Sequence, residues 1–309
     1  MTRLPQVRFL ADGRRLHLQD GPIDLVVEAF GADHHVEAAY AAAVRRFTGL
    51  LDALCVELGE LRRPAVVNGT ALTGCVARRM HAAVAPFSAA HVITPMAAVA
   101  GAVAEEILGA MTNAARLDRA YVNNGGDIAL HLAPGQRFTV GLVDRPDMPA
   151  LIGTATIDAT EPVRGIATSG RHGRSFSLGI ADAVTILAAT AAEADAAATI
   201  VANAVDLPGH PAVVRVPARE LQPDSDLGDR LVTRDVAPLA SFEVDAALDA
   251  GVAMAERLIA RGLVHGAALR LQGATRTAGL GSAAPGCDAS RSIAPARTVP
   301  DHQESRIHA

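Results

Sequence analysis

The chain contains no lysine and no tryptophan, so all 28 of its basic residues are arginines. Without a lysine amine there is no Schiff-base catalysis and no anchor for pyridoxal phosphate. A P-loop, whose lysine reaches the phosphates, is excluded on the same ground. Cysteine is nearly as scarce. Cys55, Cys75 and Cys287 stand far apart, which gives neither a disulfide framework nor a zinc spacing and fits a reducing compartment. Aromatics are limited to seven Phe and two Tyr, so the core has to be built from Ala, Val, Leu and Ile in thin, closely approaching layers. The 28 Arg against 33 acidic residues leave a net charge of -5. No run of arginines exceeds two, so the basic stripe that nucleic-acid binding needs is missing.

Membrane signals are equally sparse. Met1-Thr-Arg-Leu-Pro holds no apolar signal core and no lipid-attachment cysteine. The longest stretch without Asp, Glu or Arg runs from Met80 to Ala104, but Pro86 and Pro95 cut it and His81, Ser88, His91 and Thr94 punctuate it. A buried strand and helix explain it better than a span. The expectation is a cytoplasmic protein with neither a membrane nor a nucleic-acid partner.

Half of the 309 residues are apolar, enough for one sizeable core. Short apolar runs at 7–10, 15–18 and 23–30, separated by Asp12-Gly13 and Gly21-Pro22, read as strands. From Asp33, taken as an N-cap, Val36, Tyr40, Val44, Phe47, Leu50, Leu54, Leu58 and Leu61 recur at helical steps and predict one long helix. Strands are expected near Ala65–Val67 and His91–Ile93, then a helix opened by Thr94-Pro95 and ending near Ala115. An antiparallel meander is expected over Tyr121–Ile157, a strand at Val184–Leu187 and a helix at Glu193–Val205. A further helix over Phe242–Arg261 and a closing strand at Gly266–Leu271 complete the pattern. Residues 1–273 therefore read as one α+β domain, and 274–309 as a disordered low-complexity tail.

Three segments carry possible chemistry. Asn123-Asn124-Gly125-Gly126-Asp127 reads either as a hairpin turn or as a backbone that another group approaches closely. Gly165 to Ser175 gathers Thr168, Ser169, Gly170, Arg171, His172 and Arg174, either as a cradle for an anion or as a polar loop. Asp195 and Thr199 lie one helical turn apart and both offer oxygen to a hard cation, though Asp195 also suits a first-turn acid favoured by the helix dipole. His34, His35, His81 and His91 form no metal-ligand spacing. Asp224, Asp226 and Asp229 lack the oxygen pattern of an EF-hand.

Taken in order, Asn-Gly-Gly-Asp, Ala-Thr-Ser-Gly and Ala-Asp-x-x-Ala-Thr resemble the motif series of the ApbE-type flavin transferases. Over 7–273 the chain is similar, more closely still, to a cytoplasmic sister family of that superfamily. The shared features there are Gly-Arg-Arg-Leu-His-Leu, Gly-Pro-Ile-Asp-Leu, the Pro95-Met-Ala-Ala-Val-Ala-Gly segment and Gly-Ile-Ala-Thr-Ser-Gly-Arg-His-Gly-Arg-Ser. The resemblance implies a T-fold-related arrangement of mixed and antiparallel sheets packed with long helices. It also implies FAD as ligand or substrate, Mg²⁺ on its diphosphate, and transfer of FMN to a Thr or Ser of an acceptor flavoprotein. Carried over by motif, Asp195 and Thr199 are catalytic metal ligands, with the Ala100 carbonyl a third. Gly125, Gly126, Asp127, Thr168, Ser169 and Gly170 line the nucleotide site. Gly101 stands where the transferases carry a lysine, and Ser177–Asp182 lacks their His-x-x-Asp-Pro. Two further readings remain beside transfer. One is a non-catalytic flavin-binding module, and the other a small-molecule enzyme using His172 and Asp182.

Overall fold

The structure, a computed structural model, describes residues 4–67, 71–143, 151–280 and 306–308. The N-terminal runs form β1 (Gln6–Phe9), β2 (Leu16–Asp20) and β3 (Ile23–Phe30). The single helix expected through Leu61 is instead three: α1 (Asp33–Phe47), α2 (Leu50–Val56) and α3 (Leu58–Leu61). Gly49 breaks the ladder with φ +78°, a left-handed conformation open to glycine. After the break Leu50 and Leu54 again reach the core. Asp33 lies inside the first turn, and Ala32 occupies the cap position.

α4 (Cys75–Val84) follows, then a 3₁₀ turn at Pro95–Ala98 that leads into α5 (Val99–Ala114). The uncharged run is thus divided among short elements, and among the described residues no helix is long and apolar enough to cross a membrane. The strands expected near Ala65 and Ile93 do not form. Flanked by Pro64 and Pro95, those segments meet through one bond, Ala65 N–H to Ile93 O at 2.8 Å. The Thr94 hydroxyl donates to Asp226 instead of capping α5.

The remaining elements are β4 (Arg119–Asn124), β5 (Asp127–Leu132), β6 (Arg137–Val143), β7 (Leu151–Asp158), β8 (Gly165–Ser169) and β9 (Ala183–Ala188). They continue with α6 (Ala191–Ala204), β10 (Val213–Pro217), α7 (Ala218–Leu221), β11 (Leu231–Val236), α8 (Ser241–Ala260), β12 (Gly266–Leu271), β13 (Ala274–Ala278) and β14 (Arg306–His308). Nine strands form one sheet in the order β1-β2-β3-β4-β5-β8-β9-β12-β13, every neighbour antiparallel. The expected meander is interrupted. β6 and β7 leave this sheet and pair with each other, while β8 takes the place beside β5.

The departure follows from a second apolar face. Phe138, Val140 and Ile157 of the β6–β7 hairpin cover Ile128, Leu130 and Ile166, which alternate away from the helices. The main core lies on the other face, where α1, α5, α6 and α8 cover the sheet, α4 packs on α5 and α6, and Leu25, Val27, Val122, Ala129, Ala167, Val184 and Ile186 are buried. The nine-stranded sheet runs past Gly273. Gln272 and Gly273 turn the chain with positive φ (44° and 89°), and β13 pairs back onto β12. Of the tail beyond, Arg306–His308 runs parallel to β6, and the rest lies outside the described residues.

Candidate functional site

More than half of α6 is alanine, and Ala191, Ala192, Ala194, Ala196, Ala197 and Ala198 are buried. Such a helix approaches its neighbours closely, and they answer with glycine. A Cβ on Gly101 of α5 would lie 2.2 Å from the Ala191 carbonyl oxygen. One on Gly165 of β8 would lie 2.1 Å from the Thr190 carbonyl carbon. The starts of α5 and α6 therefore sit side by side, and each caps the other. Gly101 N–H of α5 donates to Asp195 Oδ2 of α6 at 3.0 Å, and Ala192 N–H of α6 donates to Glu105 Oε1 of α5 at 2.6 Å. These are first-turn amides that no intrahelical carbonyl can satisfy, and a carboxylate there also suits the helix dipole.

The β4–β5 hairpin brings its turn to the same place. Gly125 and Gly126 take φ +67° and +113°, and Gly126 N–H donates to Asn123 Oδ1 at 2.8 Å. The ordinary hairpin reading of this segment holds for the backbone, but its flanks do more. Asn124 Nδ2 donates to the Ala100 carbonyl at 3.2 Å, fixing the turn to the start of α5. Asp127 accepts the Thr168 N–H at 3.2 Å, fixing it to β8.

Asp127 and Asp195 thereby face one another from sheet and helix. Burial pushes the Asp127 carboxyl up to about 7, against the Thr168 N–H and the Arg174 charge. Asp195 is raised well above the ordinary carboxylate range by burial first and by the Asp127 charge second, with the Gly101 and Ala100 amides opposing. Both are enclosed by protein yet keep part of their surface open to solvent. Neither enters an ion pair among the described residues. Two carboxylates held this way resist being ionised together.

Thr199 is half-buried one turn along α6. Ser169 lies on the helix-facing side of β8 with Ala167, whereas Thr168 lies on the other side, its hydroxyl 2.9 Å from that of Thr185. Thr168 thus offers the site its main-chain N–H and not its hydroxyl. Gly170 marks a close approach, because a Cβ there would lie 2.4 Å from the Asp182 carbonyl. Asp182 itself is spent on structure: it binds Arg171 (2.7 Å), His172 (3.3 Å) and the Gln272 N–H (2.5 Å). Asp224 and Asp229 are paired with Arg62 and Arg219, and Asp226 with Thr94, so they form no cation site.

Among the described residues no cluster of three or more His, Cys, Asp or Glu side chains could hold a metal ion. What the site offers a hard cation is the Asp195 and Asp127 carboxylates, the Thr199 hydroxyl one turn along α6, and the Ala100 carbonyl, which already accepts from Asn124 Nδ2. Mg²⁺ uses one or two carboxylates and completes its shell with water and phosphate oxygens, so this donor set fits it. The mutual repulsion of the pair is what a cation would relieve.

A stability profile tests this electrostatic picture directly. A carboxyl raised on folding binds more protons in the folded state, so its contribution is full below the unfolded pKa and is lost as pH rises through the folded value. For Asp127, 3.8 rising to about 7 corresponds to at most on the order of 4 kcal/mol. The metal-free Tm is expected to fall by several degrees between about pH 4 and pH 8, and Asp127→Asn is expected to flatten the profile. A flat wild-type profile would show that burial does not raise the Asp127 carboxyl on folding.

Residues 7–277 match the family described as AbpE bacteria. A UPF0280 protein of Methanopyrus kandleri is 41% identical over 129 residues, 41% of this chain and 48% of that protein. A UPF0280 protein of Methanoregula boonei is 34% identical over 175 residues, 55% of this chain and 71% of that protein. Against most of the curated relatives it matches, the chain spans about half of their length. Among solved structures, the apo flavinyl transferase ApbE of Pseudomonas stutzeri aligns with 11% identity and a TM-score of 0.45, covering 89% of this chain and 94% of that one. That likeness is too slight to carry a fold or a function across.

Proposed function

This chain belongs to the AbpE bacteria family, and on that premise we propose that it binds FAD with Mg²⁺ and transfers the FMN half to a Thr or Ser hydroxyl of an acceptor protein. The observation that carries the reading is the Asp127–Asp195 pair, two enclosed carboxylates at the start of a helix beside a double-glycine turn. Asp195, Thr199 and the Ala100 carbonyl would hold Mg²⁺, whose charge offsets that of the diphosphate. The open backbone of Gly125 and Gly126, with Asp127, the Thr168 N–H, Ser169 and Gly170, would line the nucleotide. In the reaction the acceptor hydroxyl oxygen bonds to the FMN phosphorus, the anhydride P–O bond breaks, and AMP leaves. The chain's part is to position and to neutralise, which is most of what phosphoryl transfer asks of a protein.

The test is calorimetric titration of flavin-free protein with FAD, with Mg²⁺ and then with Mg²⁺ chelated. Binding that depends on Mg²⁺ is the expected result, and no binding in either condition ends the flavin reading. One observation favours a second reading, a flavin-nucleotide binding module without transfer. The position that holds a lysine in the transferases is Gly101, and Ala191 leaves it no room for a side chain. Release of AMP over time, with acceptor candidates present, separates the two.

A further inference from the structure

The loop after β8 lays one guanidinium beside the β4–β5 turn. Arg174 Cζ lies 3.6 Å, and Nη1 3.7 Å, from where a Cβ on Gly125 would stand. Its charge acts on Asp127 through space. Its hold on the protein is slight: Nη1 donates to the Pro22 carbonyl at 3.3 Å, and the side chain is otherwise exposed. The neighbouring arginines are committed. Arg171 grips Asp182 through Nε (2.8 Å) and Nη2 (2.7 Å), and Arg164 donates to the Ala159, Glu161 and Val163 carbonyls. Arg174 therefore brings unspent N–H donors to the one place where two carboxylates and a glycine turn converge.

The chain has no lysine, and α5 has no space for any side chain at Gly101. A cationic contact for phosphate has to come from elsewhere. A guanidinium fork matches two phosphate oxygens at once, which an ammonium does not. We propose that Arg174 is a positioning residue that grips the diphosphate of a dinucleotide bound at the Asp127–Asp195 site, supplying from the β8 loop the positive charge that α5 cannot carry. This rests on the flavin-nucleotide reading above.

The experiment uses the full chain with Mg²⁺ present and titrates FAD and riboflavin into wild type, Arg174→Gln and Arg174→Lys, each checked for its Tm. Arg174→Gln is expected to bind FAD about 10- to 100-fold more weakly, the scale of losing a charged hydrogen-bond partner. Its FAD affinity should also depend less on salt than that of wild type. Riboflavin, which carries no phosphate, should be held equally by both, and Arg174→Lys should recover part of the FAD affinity. FAD binding by Arg174→Gln equal to that of wild type overturns the proposal and leaves the flavin reading standing. Equal losses for FAD and riboflavin also overturn it, since they mark a disturbed pocket and not a lost phosphate contact. If wild type itself binds no FAD, both readings fall together.

Discussion

Asp195→Asn is expected to weaken Mg²⁺-dependent FAD binding by roughly 100-fold or more, beyond what is usual for loss of a residue that only supports a ligand. At the same time the metal-free protein should become more stable. The asparagine oxygen still accepts the Gly101 N–H that Asp195 Oδ2 accepts at 3.0 Å, so α5 keeps its cap. What disappears is a charge that burial and Asp127 both oppose. Its amide also gives Asp127 a donor in place of a like charge. The alanine variant is a poorer probe, because an orphaned amide costs about 1–3 kcal/mol and mixes instability with lost binding. Calorimetry and thermal unfolding of the asparagine variant together give the answer. An FAD affinity close to that of wild type would remove Asp195 from the cation site and leave it only as a cap.

Gly101→Lys should not yield a folded protein, and Gly101→Ala should melt about 5–10 °C below wild type. The first added atom would lie 2.2 Å from a main-chain oxygen and 2.4 Å from its carbon, so no rotamer relieves it. Overpacking of this kind typically costs about 1–3 kcal/mol and more where backbone must move, at roughly 2–4 °C per kcal/mol for domains of about 150–250 residues. Here the backbone must move, since Ala191 is tied through Ala192 to Glu105. Far-UV circular dichroism and a melting curve suffice as the check. A well-folded lysine variant would show that α5 and α6 separate easily.

Periodicity located most elements because one face of each is buried. Asp127–Leu132 and Gly266–Leu271 match their strands to the residue, and the helices at 191–204 and 241–260 lie within two residues of expectation at each end. β8 was hidden because a central strand is covered on both sides: Gly165-Ile-Ala-Thr-Ser has no polar face to alternate. β11 and β13 were hidden for the opposite reason, with half or more of each exposed, and β10 because it is half-buried along nearly its whole length.

Of the site, the glycine turn and the Asp195 helix were legible as local motifs. Their meeting was not. No local pattern says that Asp127 charges Asp195, or that the Thr168 hydroxyl points to Thr185 while its amide points to the site. The reciprocal caps were missed too, although Glu105 left a mark. It is the acid that ends the longest uncharged run in the chain, and such a residue asks for a partner.

Those two caps also bear on when the site comes into being. The bonds that make it, Asp195 to Gly101 and Glu105 to Ala192, close segments of 94 and 87 positions. Local structure cannot supply them, and such distant pairings are generally made late in folding. During synthesis α5 and the β4–β5 hairpin leave the ribosome well before α6, with amides at the helix start uncapped and Asp127 facing no partner. The site itself is complete only when α6 occupies the space that Gly101 and Gly165 keep open for it.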